Sequence, residues 1–578
     1  MKKSQNLLFI ILCLLIISFT VGCSNPTDEG SEDTISTITF NTGFDDVHVE
    51  SISSIAGEPI SPPEEPTKDG YIFVAWLKDG VEYNFDKMPS ENIELIACWN
   101  QIFTITFSTI FDDVQVEPIS SVAGEPISPP KKPIKEGFQF VAWLNEDGTV
   151  FNFDKMPAKN IELTDYWLNL EEPLPCMSID LYGKDGSEYD LDLVNRDDYV
   201  DSKISFSNTA QAYQLDAVEA SFKGRGNGSW FGAGGKNGYK IKFDSKQSLL
   251  GRAENKHWVI IACANFNDQT MYRNYLAYNM AGEVFSNLEY STNAEWIDVY
   301  INGEYQGVYL LCEHVRVDKG RVDIDSEYGI EDTGYLIEYD AYATGEENID
   351  YFKIDGIKYP FTIKSPDPED YLEETTKEQY AKQISYIKSY VQEVYNAALN
   401  HDFETFSALV DVDSFVDMYI IHELFKNVDT GWSSFYMYKK PGGKLFAGPI
   451  WDFDATTNLA GMGNRAPQGI YVAKEILETS DFTASELYIE LYKTPEFLEL
   501  VKIRWQELSK TIELFVNNKM NENVYEIYKT AIGKNFVLWQ GKTQAQAETD
   551  WVDNSRTLKH WLRDRIDWLS YEWKLLLT

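Results

Sequence analysis

The hydrophobic and polar positions divide the chain into regimes with different periods. Behind Lys2 and Lys3 stands an apolar run from Leu7 to Phe19, the layout of an export signal and not of a core helix. From Thr37 to Trp99 apolar and polar residues alternate and are broken at Pro62, Pro63 and several glycines, which predicts short β-strands joined by turns. The pattern returns from Thr104 to Trp167 at a spacing of 67 to 68 residues, with "FVAW" placed around Trp76 and again around Trp143. Two copies of one small β module are therefore expected, over 35–100 and 101–168. From about Pro173 strand-like runs predominate ("WIDVYI", "QGVYLLCEHV", "TGYLIEYD"), with a helical stretch near 270–285. Tyr380, Ile384, Ile387, Val391, Val394 and Ala398 then recur at helical spacing, and a second helix-rich region runs from about 484 to the end. A β-rich half followed by a helical half predicts an α+β unit of two lobes over 173–578, with room for a nucleotide between them.

Composition narrows the partners. With 578 residues, 43% hydrophobic and 14% aromatic, the chain can bury a large core. Its 50 basic against 92 acidic residues leave a net charge of −42, which argues against a nucleic acid partner, because a polyanion is repelled unless a local basic channel exists. Of six cysteines, Cys13 and Cys23 lie in the leader, and Cys98, Cys176, Cys263 and Cys312 are widely spaced without a CxxC pair. Neither a metal framework nor a disulfide framework follows. Residues 24–34, "SNPTDEGSEDT", are polar and acidic, as a flexible tether would be.

Two segments carry candidate chemistry. In "VEASFKGRGNGSWFGAGGKNGYKIKFD" the glycines 224, 226 and 228 follow an alternating strand, but the loop runs into another strand and not into a helix. A dinucleotide turn needs that helix, so a glycine-rich hairpin over phosphates is the better reading. Lys240 and Lys242 share one face of "YKIKFD", and Lys242 is favoured as the phosphate lysine. Further on, "FVDMYIIHELFKNVDTGWSSFYMYKK" predicts an apolar helix, a loop holding Asp429 and a strand; Asp452 and Asp454 follow in "WDFD" across a short hairpin. One carboxylate to accept a hydroxyl proton and others to hold a divalent cation is the minimum for phosphoryl transfer. The stretch from Asp452 fails as a calcium loop, because Thr456, Thr457 and Gly463 stand where a ligand, a glycine and a glutamate are needed. A metal-dependent glycosyltransferase remains an alternative for the D-x-D pair alone. His422 and Glu423 lack a second histidine four residues on, so His422 is expected to be structural.

The motifs "KGRGNGSW", "YKIKF", "DQTMYRNYLA", "NGEYQGVYLLCEHV", "GYLIEYD", "HELFKNVDTGWSSFYMYKK" and "GPIWDFD" resemble, in order and spacing, the CotH (spore coat protein H) family of secretory kinases. The resemblance implies an atypical protein-kinase fold, ATP with Mg²⁺ or Mn²⁺, and transfer of the γ-phosphate to Ser or Thr of exported surface or spore-coat proteins. It assigns Asp429 as catalytic, Asp452 and Asp454 to the metal, and Arg225, Gly226, Asn227, Trp230, Lys242, Glu313 and Glu338 to the nucleotide side. Arg273 and Asn274 open the helical "RNYLA" and stand either at the site or in ion pairs behind it. Ser434 replaces the asparagine a kinase places five residues after its catalytic aspartate, which weakens a second metal position. A member that has lost turnover and acts only as a binding or structural protein is the other alternative. The two copies resemble the B-type (Listeria–Bacteroides) repeats of internalins, which implies β-grasp-like spacer or interaction modules able to bind cell-surface or partner proteins. The ending "TVGC" resembles the lipobox of bacterial lipoproteins, which implies a lipid on Cys23 and an extracytoplasmic, membrane-anchored protein after removal of residues 1–23.

Overall fold

The computed structural model of the chain describes residues 34–574 except 227–229, 231–235, 263–267, 328, 345–349, 367–373, 460–465 and 474–484. The leader with Cys23, most of the tether and the loop residue Asn227 thus lie outside the described residues. The chain forms two compact units, one of Met1–Lys135 with Phe140–Tyr166 and the other of Glu136–Gln139 with Trp167–Thr578.

The first unit is all strand: β1 (Ile35–Asn41), β2 (Ile52–Ile55), β3 (Tyr71–Lys78), β4 (Val81–Glu82), β5 (Ile93–Ser108), β6 (Ile119–Val122), β7 (Phe138–Leu144) and β8 (Ile161–Asn169). β1 runs antiparallel to β2 and parallel to the first half of β5, while β6 and β8 repeat that relation on its second half. One 16-residue strand therefore closes the first copy and opens the second. The alternation that defines the repeat has a direct structural use. Trp76 and Trp143 are each 4% exposed, and each packs on an aromatic of its own copy's first strand, Phe40 or Phe107, at 4.6 Å between ring centres. Parallel pairing of first and last strands matches the β-grasp expectation, but no helix occurs among the described residues up to Tyr166. Clustered aromatic rings cover the sheet instead.

The second unit opens with a closed barrel of β9 (Cys176–Tyr182), β10 (Val200–Ser207), β11 (Leu215–Arg225), β12 (Gly238–Gln247), β13 (Asn255–Ile261), β14 (Ala294–Ile301) and β15 (Glu304–Glu313), in the order β10-β11-β12-β13-β15-β14-β9. Ile179, Ile204, Phe222, Ile241, Phe243 and Leu311 fill it, as the period of two requires. Helix α1 (Arg273–Val284) interrupts the strand series where the helical stretch was expected. A five-stranded sheet follows, ordered β17 (Tyr351–Phe352), β18 (Phe361–Ser365), β16 (Tyr335–Tyr339), β19 (Phe435–Lys439) and β20 (Leu445–Ala447). Helices α2 (Glu374–Leu399), α3 (Phe403–Leu409) and α4 (Val412–Phe425) are inserted before its last two strands. Helices α5 (Glu486–Lys493), α6 (Pro495–Lys519), α7 (Glu522–Gln540) and α8 (Gln544–Glu572) complete the chain. α4 is apolar on all sides because it is buried on all sides: only Val412 and Asp413 escape burial. Among the described residues no helix is long and apolar enough to cross a membrane.

Candidate functional site

The glycine-rich segment is a hairpin. β11 and β12 pair antiparallel with Arg225 opposite Gly238, and the loop leaves from Gly226, whose φ is 103°. Gly224 must be glycine for a local reason: a Cβ there would come within 2.3 Å of the Trp230 ring. Alternation turns Tyr239, Ile241 and Phe243 into the barrel and Lys240 and Lys242 outward. On that outer face Lys240 lies among Arg316, Lys223, Arg225 and Lys242, and burial followed by these charges lowers its pKa to about 7. His257 beside them is lowered to about 3, first by burial and then by Arg316, so it is neutral. In a chain of net charge −42 this is a concentrated cationic surface.

Arg225 joins that surface to the acidic turn. Its guanidinium lies 5.5 Å from the Trp451 ring centre, and it is the chief cation opposing the raised pKa of Asp452. The turn itself is held by backbone contacts. Asp452 adopts φ 59°, a left-handed conformation that a short polar side chain tolerates better than most. Its N–H donates to the Tyr278 hydroxyl at 3.0 Å, and its carbonyl accepts from Asn427 Nδ2 at 3.1 Å. The next N–H, of Phe453, donates to Asn274 Oδ1 at 2.7 Å. Arg273, ion-paired with Asp268, donates from Nε to the Thr456 carbonyl at 3.2 Å and to Thr457 Oγ1 at 3.0 Å. Arg273 and Asn274 therefore shape the turn from behind.

Asp429 arrives from the other side. α4 ends at Phe425, Lys426 turns left-handed at φ 50°, and Asn427 then caps a short 3₁₀ turn by accepting the Asp429 N–H at 3.0 Å. The outcome is a cluster in which Asp429, Asp452 and Asp454 bring one carboxylate oxygen each to within 4.8 Å of the others. Asp429 and Asp452 are partly buried, and Asp454 stands exposed at the mouth. Desolvation raises the carboxyl pKa of Asp452, and Glu338 adds to it. Asp454 is pushed well above the ordinary range, by desolvation first and by the Asp452 charge next. An all-oxygen set that repels itself is the donor chemistry of a hard divalent cation.

The structure also shows where each remaining candidate lies. Glu338 faces the cluster: it accepts the Ser434 N–H at 3.1 Å and pairs with Lys364 at 2.9 Å. Ser434, where an asparagine was expected, has φ 63°, and its side chain lowers the carboxyl pKa of Asp452 against the larger effect of desolvation. Lys242 is exposed, 5.9 Å from the Tyr199 ring centre, whereas Lys240 is half-buried beside Arg225. Trp230 packs edge-on to Tyr239 at 6.3 Å. Glu313 goes elsewhere: it accepts from Asn293 N at 3.2 Å and faces Arg321 at 3.8 Å, at the end of the barrel. The reason is parity, since Glu313 shares the inward face of β15 with Leu311. His422, bonded to Thr430 Oγ1 at 2.8 Å and held at a pKa of about 3 by burial, is structural as expected. Asn427, Tyr278 and Arg316 were not anticipated; only Asn427 had a signal, two residues before an aspartate at a helix end.

A cationic strand face and a carboxylate cluster are thus joined by one arginine. Residues 222–569 match the family described as CotH kinase protein, and the chain belongs to that family. Residues 37–98 and 103–164 each match the Listeria-Bacteroides repeat domain. Internalin H of Listeria monocytogenes is 34% identical over 140 residues, 22% of this chain and 24% of that protein. A protein of Evansella cellulosilytica named as a membrane protein is 31% identical over 104 residues, 17% of this chain and 16% of its own length. A second from that organism, named as a Gly-rich membrane protein, is 29% identical over 104 residues, covering 17% and 12%. The chain thus spans a quarter or less of the curated relatives it matches.

Proposed function

We propose that the second unit is an ATP- and metal-dependent protein kinase that phosphorylates Ser or Thr of exported proteins. The observation that carries this reading is the carboxylate cluster of Asp429, Asp452 and Asp454 facing Arg225 in a member of the CotH kinase family. Arg225 and Lys240 hold phosphate oxygens, with Lys240 and not Lys242 as the principal lysine, because it is the one sheltered beside Arg225. Asp452 and Asp454, with Ser434 at the side, hold Mg²⁺ or Mn²⁺, which supplies neutralisation of the phosphate charge. Asp429 orients the acceptor hydroxyl and takes its proton as the new O–P bond forms and the bond to the ADP oxygen breaks. Glu338 positions Ser434. The half-buried Trp432, whose backbone N–H donates to the Asp429 carbonyl at 2.9 Å and whose ring has Tyr342 and Tyr359 at its edge, forms the acceptor side.

Surface placement is part of the proposal. The leader, the tether and the repeats fit an exported protein held by a lipid on Cys23, with the repeats free to engage cell-surface partners; membrane-protein names among the relatives point the same way. Labelled palmitate should enter the cell-expressed chain and be lost in Cys23→Ala.

The decisive experiment incubates the purified chain, Asp429→Ala and Asp452→Ala with γ-labelled ATP, Mg²⁺ or Mn²⁺, and an extract of surface and spore-coat proteins. Transfer by the unaltered chain, with a drop of about 10²- to 10⁴-fold in Asp429→Ala, is expected. Equal labelling by all three, or by none, overturns the proposal and leaves a binding protein. Transfer of sugar from a nucleotide sugar would replace it with the glycosyltransferase alternative.

A further inference from the structure

A cavity of about 420 Å³ lies at the end of the barrel, walled by the turn at Arg252, the start of β14, the end of β15, helix α1 and the last residue of α6. None of the residues assigned above to the polyphosphate and its cation lines it; Glu313, which the barrel's parity sends away from them, does. Two of its carboxylates meet a cation: Glu283 pairs with Lys519 at 2.8 Å, and Glu313 is held by Asn293 and faces Arg321 at 3.8 Å. Arg252 donates from Nη1 to the Asn293 and Leu311 carbonyls at 3.3 Å. Glu295 differs from the other two carboxylates. Its carboxylate accepts only the neighbouring Trp296 N–H, at 3.0 Å, and among the described residues no cation lies within ion-pair distance of it. Burial raises its pKa, and Arg252 offsets this only in part. Beside it Tyr275 is stacked on Trp296 at 4.4 Å, which adds an aromatic wall.

A half-buried carboxylate with no cation within ion-pair distance, in a cavity with aromatic and amide walls, has the chemistry to receive an organic ammonium group, since the ligand supplies the direct ion pair that Arg252 and Lys519 do not make. We infer that this cavity is a second ligand site, separate from the phosphoryl-transfer site, which binds a small hydrogen-bonding primary amine through Glu295. An amino sugar and an aliphatic diamine both carry that group. The inference does not depend on the chain being an active kinase.

Calorimetric titration of the full chain with glucosamine, 1,5-diaminopentane and N-acetylglucosamine tests it. At least one amine should bind, and about tenfold tighter than the acetylated sugar, which has lost the charge; which amine binds distinguishes the sources. Glu295→Gln should remove that preference, while Asp452→Asn should leave it intact. No binding by either amine, equal binding of glucosamine and its acetylated form, or an unchanged preference in Glu295→Gln overturns the inference. The comparison of amine with acetamide is made on the unaltered chain and stands even if the variant folds poorly.

Discussion

Lys240 is the residue whose chemistry is most sensitive to its setting. With a folded pKa of about 7, against 10.5 in the open chain, the unfolded state holds more protons between those values, so this group adds stability as pH rises through that window. A bound polyphosphate reverses the preference by favouring the ammonium. ATP binding at pH 8 should therefore take up as much as one proton, measurable by calorimetry in buffers of different ionisation enthalpy, and Lys240→Met should abolish the uptake. The same variant should raise KM for ATP about 10- to 100-fold, the cost of one charge-assisted contact, while Lys242→Met should change it little. Asp452 and Asp454 carry the opposite sign. Their folded pKa values are raised, so above pH 4 the folded protein holds more protons than the unfolded chain and loses stability as pH rises. Asp454→Asn should melt at a higher temperature than the unaltered chain in chelator. Mg²⁺ or Mn²⁺ at about a hundred times its Kd should stabilise the unaltered chain by about 2.7 kcal/mol, and the variant by clearly less.

At the scale of elements, the acidic turn depends on a buried pair far along the chain. Glu423, near the end of α4, accepts the N–H groups of Tyr471 and Val472 at 2.7 and 2.8 Å and is ion-paired with Arg565 of α8, both fully buried. Arg565 also donates to the carbonyls of Pro467 and Gly469, and Lys426 to that of Ala466 at 2.8 Å. The segment after the acidic turn is thus tied to the helix that presents Asp429. Arg565→Leu strands the carboxylate in the core and should cost about 3–5 kcal/mol, read as a lowered denaturation midpoint with an unchanged slope. The histidine and glutamate of "HELFK", which suggest zinc when taken as a string, are explained by this packing. The apolar run finds α4 itself, because its composition and its Asp411 cap are local; the partner of Glu423, 142 residues on, is not local and leaves no pattern.

At the scale of the molecule, the two compact units divide the chain near Trp167. Each has its own core, with Trp76 in one and Trp258 in the barrel of the other. A chain beginning near Trp167 should therefore keep a cooperative thermal transition and the same ATP-dependent labelling, while the repeats alone melt separately. Loss of that transition on truncation would show that the cores are not independent.

The sequence by itself determined the repeat, the hairpin after the glycines and the helix–loop–strand order around Asp429, because each is written in alternation, in apolar runs or in turn residues that act over a few positions. It also placed three carboxylates in the right order along the chain. Only the tertiary structure decided which groups meet: that Lys240 is sheltered and Lys242 exposed, that Glu338 turns to the cluster while Glu313 turns to the end of the barrel, and that Arg225 spans the two charged surfaces. Those outcomes depend on strand parity at a barrel edge and on desolvation by distant elements, and neither is a property of any short stretch of chain.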